Sequence, residues 1–396
     1  MSAKQAYITG ITQAFSETPY AQWLRREGVP IHEGFTVDDV RELEMAPWPR
    51  VGGNAVFITL YAHMEANLGL YLVEIPPRRS LEPERWCCQK VVLVEQGIGS
   101  TEVWQEGESR KQVFEWGKGS VFAIPLNAWH RMHNLGAEPA KFMVMNSAPL
   151  VMKGFNSADF VFNCPVTFPE LYSGDDDQYF VESNKKYRFG REGSHSNWWE
   201  TNFIHDAWTA SLRTSNKAYG NLSHSFRMVN KTIGGTIHEW PAGRYHQAHY
   251  HGPGALLHTL RSEGFVMLWP FELGMRPFES GHGDEVVIEP FGEGGLYSPP
   301  GQWFHAHFNT GAGPMRQIAF YGGTAFGDLA PKRTGRGGEE FNPTHESVTE
   351  GGRLIRYWQE DPEVRRRFKA MLDEKEIPFD MPDSLFAPPE AERPGF

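Results

Sequence analysis

The chain reads as a mainly β protein: two duplicated barrels with short helical segments at either end. Three observations carry that reading. The first is an internal repeat, in which Gly119, Pro125, Asn127, His130, Asn134 and Gly136 recur as Gly294, Pro300, Gln302, His305, Asn309 and Gly311 at one constant offset. A period this long marks two copies of a domain, since solenoid repeats run to roughly 20–50 residues. The second is the density of short apolar runs broken by Gly and Pro, the pattern of an antiparallel sandwich or barrel. The third is size: 396 residues are enough for two domains, each with its own core.

In chain order, residues 1–50 form a helical lead-in. Residues 20–27 have helical spacing, a turn follows at Gly28-Val29-Pro30, and residues 36–44 read as a short helix capped by Thr36, with Asp39 at its third position. Residues 51–150 hold the first barrel, with strands such as 55–60, 69–75, 91–94 and 120–124. Residues 151–224 are a polar, aromatic-dotted connection, and 225–325 hold the second barrel. A Gly- and charge-rich linker fills 331–352. The terminal helix over 362–372 has Asp361 as cap and Pro362 at its first position, and packing is its expected role.

Composition excludes several function classes. A net charge of −11 with no basic stripe argues against nucleic acid. No run of about 18 apolar residues is present, so no membrane span is expected. Residues 1–15 lack the layout of a secretory signal. Cys87, Cys88 and Cys164 do not make a disulfide framework, which fits a reducing cytoplasm. The run Asp175-Asp176-Asp177 reads as a solvated loop, because a calcium loop needs a longer set of spaced ligands.

The chemistry lies in the histidines of the second copy. His249 and His251 are two apart, before Gly252-Pro253-Gly254, and on an extended segment they point to one face. His305 arrives on a second strand behind the turn Pro299-Pro300-Gly301. Three imidazoles on one barrel face suit iron, zinc, copper, nickel or manganese. His307 shares the face of His305 and is read as a hydrogen-bonding neighbour of the ligands rather than a ligand. His246 is an odd step from His249 and is read as structural.

The pieces H-x-H and G-x5-P-x-G/N-x2-H-x3-N resemble the cupin superfamily. The doubled arrangement is similar to bicupins, in particular gentisate 1,2-dioxygenase-like proteins, over about residues 50–325. The resemblance implies two cupin barrels (the double-stranded β-helix or jelly roll) and a metal inside the barrel mouth, commonly held by three histidines and one glutamate. It is also compatible with a homodimer joined through the terminal extensions. The sequence departs from that pattern twice. The first copy keeps His130 and Asn134, but its stretch 81–89 contains no histidine, so that barrel is expected to be a metal-free structural partner. In the second copy the glutamate slot falls at Ala255, Leu256 or Leu257, none of which binds a cation. His258 lies just beyond and is a candidate fourth ligand or acid/base group.

Three neutral ligands leave a metal its full charge, which favours an anionic chelating substrate. The leading expectation is an Fe(II) three-histidine dioxygenase cleaving a C–C bond of a small chelating, aromatic or enolisable substrate with O2. A redox-neutral lyase or isomerase using Zn, Mn or Ni is the second reading, with His258 or His307 moving the proton. A non-enzymatic ligand-binding bicupin is the third. Trp269, Phe271, Tyr297, Trp303, Phe304 and Phe308 are the candidate aromatic walls, Tyr297 and Trp303 foremost. Arg316, Arg261 and Arg85 are the candidates to pair with a substrate carboxylate, with Arg316 preferred.

Overall fold

The computed structural model describes residues 2–389 apart from 63–67, 190–195, 216–217, 229–232, 253–254, 323–332, 335–339 and 342–345. The Pro253-Gly254 turn after His251 and half of the 331–352 linker therefore lie outside the described residues.

Two barrels form, each from a large sheet facing a three-stranded one. In the first, Gly53–Leu60, Gly69–Ile75, Ala140–Asn146, Lys90–Gln96 and Val121–Ile124 lie side by side, antiparallel throughout. Trp129–Asn134, Ile98–Trp104 and Gln112–Gly117 make the facing sheet. The second barrel repeats this plan. Its large sheet carries Leu222–Met228, Ile233–Trp240, Met315–Gly322, Leu256–Arg261 and Leu296–Tyr297, and its small sheet Val287–Phe291, Gly264–Pro270 and Trp303–Asn309. The jelly-roll duplication expected from the sequence is the observed fold.

Period-two alternation sorts the side chains into separate cores. The outer faces of the two large sheets pack against each other. Val56, Ile58, Leu72 and Leu93 of the first barrel meet Ile237, Leu256, Leu260 and Ile318 of the second. Burying side chains of this size contributes about 1.5–3 kcal/mol each. The outer face of the second small sheet (Phe265, Met267, Phe304, Phe308) is covered by Val364, Phe368 and Leu372 of helix Pro362–Glu374. That helix begins as expected, the Asp361 carboxylate accepting from the Glu363 amide at 3.0 Å.

One expectation is corrected. Residues 36–44 do not form a capped helix: Thr36–Val37 adds an edge strand to Leu296–Tyr297, and only a single 3-10 turn, Val40–Glu42, follows, capped by Asp39. β-branched residues beside an open sheet edge favour pairing over helix. The connection over 151–224 also lends strands to both barrels. Phe203–Ile204 pairs with Val121–Ile124 of the first barrel, and Ser196–Glu200 runs parallel to Leu222–Met228 of the second. The lead-in likewise serves both barrels, Ile31–Gly34 pairing with Gly53–Leu60. No helix among the described residues is long and apolar enough to cross a membrane.

Candidate metal centre

The strand Trp303–Asn309 decides the site. Trp303, His305 and His307 face the barrel interior, while Phe304, Ala306 and Phe308 face the terminal helix. His249 pairs across from His305 through two backbone bonds, His249 N to His305 O at 3.1 Å and His305 N to His249 O at 2.9 Å. The two rings come to 4.4 Å, and His251 stands 4.7 Å from His305. One nitrogen of each of His249, His251 and His305 lies within 4.8 Å of the others.

Backbone carbonyls fix which nitrogen that is. His249 Nδ1 faces Gln247 O at 3.0 Å, His251 Nδ1 faces Gly252 O at 3.0 Å, and His305 Nδ1 faces Trp303 O at 2.9 Å. A carbonyl only accepts, so each Nδ1 carries the proton and each Nε2 is left as the donor atom for a cation. That is the tautomer a metal-binding imidazole needs, held by partners outside the centre. The residues present fit a divalent transition metal.

The turn before His305 explains two of the repeated positions. Gln302 takes a left-handed backbone (φ +62°), as does Asn127 at the same place in the first barrel (φ +55°). The Gln302 amide donates to His251 O at 3.0 Å, tying the two ligand-bearing segments together. The repeated Asn and Gly are structural as well. Asn309 Nδ2 donates to Gly313 O at 2.9 Å and to Trp240 O at 3.3 Å, while its Oδ1 accepts from the Gly311 amide at 3.0 Å. Asn134 and Gly136 repeat the last of these bonds at 2.8 Å. A Cβ at Gly311 would sit 2.1 Å from Ser262 Oγ, so a side chain there has no room.

His307 lies beside the triad, its ring 5.4 Å from that of His305. Tyr297 donates to Gln317 Oε1 at 3.0 Å, so its oxygen accepts from His307 Nδ1 at 2.8 Å. Gln317 Nε2 in turn donates to Thr259 Oγ1 at 3.1 Å. Burial raises the Tyr297 hydroxyl well above its ordinary range, against the pull of its bond to Gln317, and this keeps the phenol neutral. His246, read as structural, packs on Trp240 at 4.3 Å and meets Asn221 Oδ1 at 3.1 Å.

Other expected site residues are placed elsewhere. His258 does not face the triad. It lies in the seam between barrels, its Nε2 2.9 Å from Glu95 Oε1 of the first barrel, both side chains buried. Alternation is the reason: Leu256, His258 and Leu260 face the seam, Ala255 and Leu257 the interior. Arg316 is likewise committed, donating to Ala207 O at 2.8 Å, Ala210 O at 2.6 Å and Glu239 Oε2 at 2.8 Å. Arg261 points to Trp208 O, and Arg85 pairs with Glu106. Of the six aromatics, only Tyr297 and Trp303 line the interior. Trp269, Phe304 and Phe308 lie under the terminal helix, and Phe271 is exposed.

The interior has walls that sequence reading missed. Phe35 joins the same cluster from the lead-in, and Tyr7 of helix Ala3–Ser16 packs its ring 5.6 Å from Trp303. No local pattern announces either, because both reach the barrel through tertiary pairing. The interior also keeps solvent contact: Ala255 7 %, Leu257 6 % and Ala319 5 % exposed. Their register equivalents in the first barrel, Lys90, Val92 and Val144, are at 2 %, 0 % and 1 %.

No protein-family model matches the chain, and no curated protein matches it. Solved structures with a similar strand arrangement include a deletion mutant of oxalate decarboxylase from Bacillus subtilis (13% identity, 74% of this chain, 77% of that one, TM-score 0.46). A tryptophan-to-tyrosine variant of the same enzyme aligns at 13% identity over 74% and 78% of the two chains, TM-score 0.46. A structure from work on that enzyme's Mn(II) centers aligns at 12% identity over 74% and 78%, with the same score.

Proposed function

We propose that the second barrel is a metal-dependent enzyme centre acting on a small chelating substrate, with Fe(II)-dependent C–C cleavage by O2 as the leading reaction. The observation that supports this is the convergence of three Nε2 nitrogens, each proton-free because its Nδ1 faces a carbonyl. His249, His251 and His305 would hold the ion. When bound, it would supply a positive centre for an anionic chelate and, as Fe(II), the electrons for O2.

The chain's own residues supply the rest. Trp303, Leu257 and Ala319 belong to one buried apolar cluster on the interior side of this barrel, a lining that suits an apolar or aromatic substrate body. The glutamate slot implied by the resemblance falls at Ala255, Leu256 or Leu257, and the two of these that face the interior, Ala255 and Leu257, carry no carboxylate to compete with an anionic substrate for the centre. His307, protonated at Nδ1 and held by Tyr297, presents Nε2 as a base for a substrate proton.

That last feature also favours the second reading, a redox-neutral lyase or isomerase with Mn, Zn or Ni. Proton movement by His307, backed by Tyr297 and Gln317, would then be the main chemistry. Metal analysis of anaerobically purified protein, followed by O2-uptake assays with chelating aromatic and diketone-like acids, separates the two. Iron with substrate-dependent O2 uptake supports the dioxygenase; turnover without O2 consumption overturns it in favour of the lyase or isomerase.

A further inference from the structure

The first barrel carries the ligand positions of the second with different residues in them. The isolated bridge His249–His305 has its counterpart in Glu84–His130, so Glu84 stands where His249 stands. Two residues on, Trp86 replaces His251. The strand registers then match Lys90 to Ala255, the interior position just ahead of each barrel's inward strand face. Only the imidazole of His130 is retained.

These residues form one closed cluster. Lys90 Nζ contacts Glu84 Oε1 and lies 3.1 Å from His130 Nε2, while His130 Nε2 is 3.1 Å from Glu84 Oε1. Trp86 donates to Glu84 Oε2 at 2.7 Å, and its ring lies 4.7 Å from the ammonium. His130 Nδ1 faces Ala128 O at 3.3 Å, the same i−2 carbonyl that orients His305. Its Nε2 is thus an acceptor aimed at the centre, and Lys90 is the donor that meets it. Tyr71, Trp48 and Phe57 fill the surrounding space.

We propose that the first barrel is a metal centre whose cation has been replaced by the chain's own ammonium group, Lys90 Nζ, and that this barrel takes no metal. The ammonium touches the two groups a metal would touch, a carboxylate oxygen and an imidazole Nε2. A second cation in that space would face a like charge without an intervening ligand, in a region from which water is excluded. Trp86 removes the third donor and holds the ammonium over its ring instead. The charge states agree with this geometry. Burial pushes the Glu84 carboxyl up, but the Lys90 ammonium outweighs it and holds it well below the carboxylate range, while burial and then Lys90 keep His130 low.

The test separates the two barrels by metal position. Crystals of the wild-type chain soaked in excess Mn(II) are expected to give anomalous density at the second barrel only; a peak between Glu84 and His130 overturns the proposal. In a His249→Ala background, which disables the second site, Lys90→Glu offers two carboxylates and an imidazole. It is expected to take the chain from no bound Mn(II) to one ion, with a metal-dependent rise in Tm. A folded Lys90→Glu/His249→Ala protein that binds no Mn(II) also overturns it. Should that variant not fold, the wild-type map still decides.

Discussion

At the scale of single residues, the site rests on tautomers as much as on positions. His249→Ala removes one of three imidazoles and leaves the backbone pairing with His305 intact, so bound metal and activity should vanish together while the protein stays folded. Metal counting and circular dichroism on one sample check this, and a loaded, active variant would sink the site assignment. Tyr297→Phe is subtler. It deletes the acceptor of the His307 Nδ1 proton without changing ring packing. Because His307 is read as a proton-moving base and not as a ligand, the loss should fall on turnover, by about 10-fold or more, with metal content unchanged. The expected pattern is a fall in kcat with a displaced alkaline or acid limb, since His307 loses its fixed tautomer; an unchanged pH profile would leave Tyr297 a packing residue only. Residue identity made the triad legible from sequence, because H-x-H on an extended segment has one geometric meaning. The same rule, applied to the strand over 303–309, separates inward Trp303 from outward Phe304 and Phe308, all three of them candidate walls by their place on or near the strands.

At the scale of elements, the terminal helix and the segment before it hold the outer wall of the second barrel. Phe368 is fully buried against Phe265, Phe308 and Tyr245. Phe368→Ala should cost about 3–5 kcal/mol by thermal or denaturant unfolding. Just ahead of the helix, burial pushes the Glu360 carboxyl up to about 8, only partly offset by its bond from the Tyr245 hydroxyl. The ordinary value is 4.5, so the folded chain keeps a proton that the unfolded chain releases. Stability from this group is therefore whole below pH 4.5 and drains away as pH climbs towards about 8. Glu360→Gln, neutral at every pH, should gain on the wild type by about 2–4 °C in Tm between pH 5 and 8.5; parallel Tm curves would contradict the assignment. The helix and its Asp361 cap were plain in the sequence, since Asp-Pro at a helix start acts locally. The buried carboxyl was not, because Glu360 is defined by a tyrosine more than a hundred residues away.

At the scale of the whole molecule, the two barrels share one seam and one set of borrowed strands. The lead-in pairs with both large sheets, and the connection does the same. Buried in that seam, His258 and Glu95 lie 2.9 Å apart. His258→Leu alone leaves a buried carboxylate without its partner and should cost about 3–5 kcal/mol, whereas Glu95→Leu with His258→Leu should restore most of the loss. A double-mutant cycle measures this, and additive costs would mean the pair does not couple. Unfolding should also show one cooperative transition for both barrels; two separated transitions would show the seam to be weak.

The sequence by itself determined the duplication, the jelly-roll class, the terminal helix and the three histidines. Each is written in local spacing: period-two alternation, turn residues at fixed offsets, and a cap. Only the tertiary structure decided that His258 faces the neighbouring barrel, that Arg316 is tied to backbone carbonyls, and that Phe35 and Tyr7 reach the site. It also set Lys90 between Glu84 and His130. These depend on register, on which sheet edge a distant segment joins, and on what fills the space left when a ligand is lost. Such contacts join residues far apart in the chain, and local sequence carries no period that encodes them.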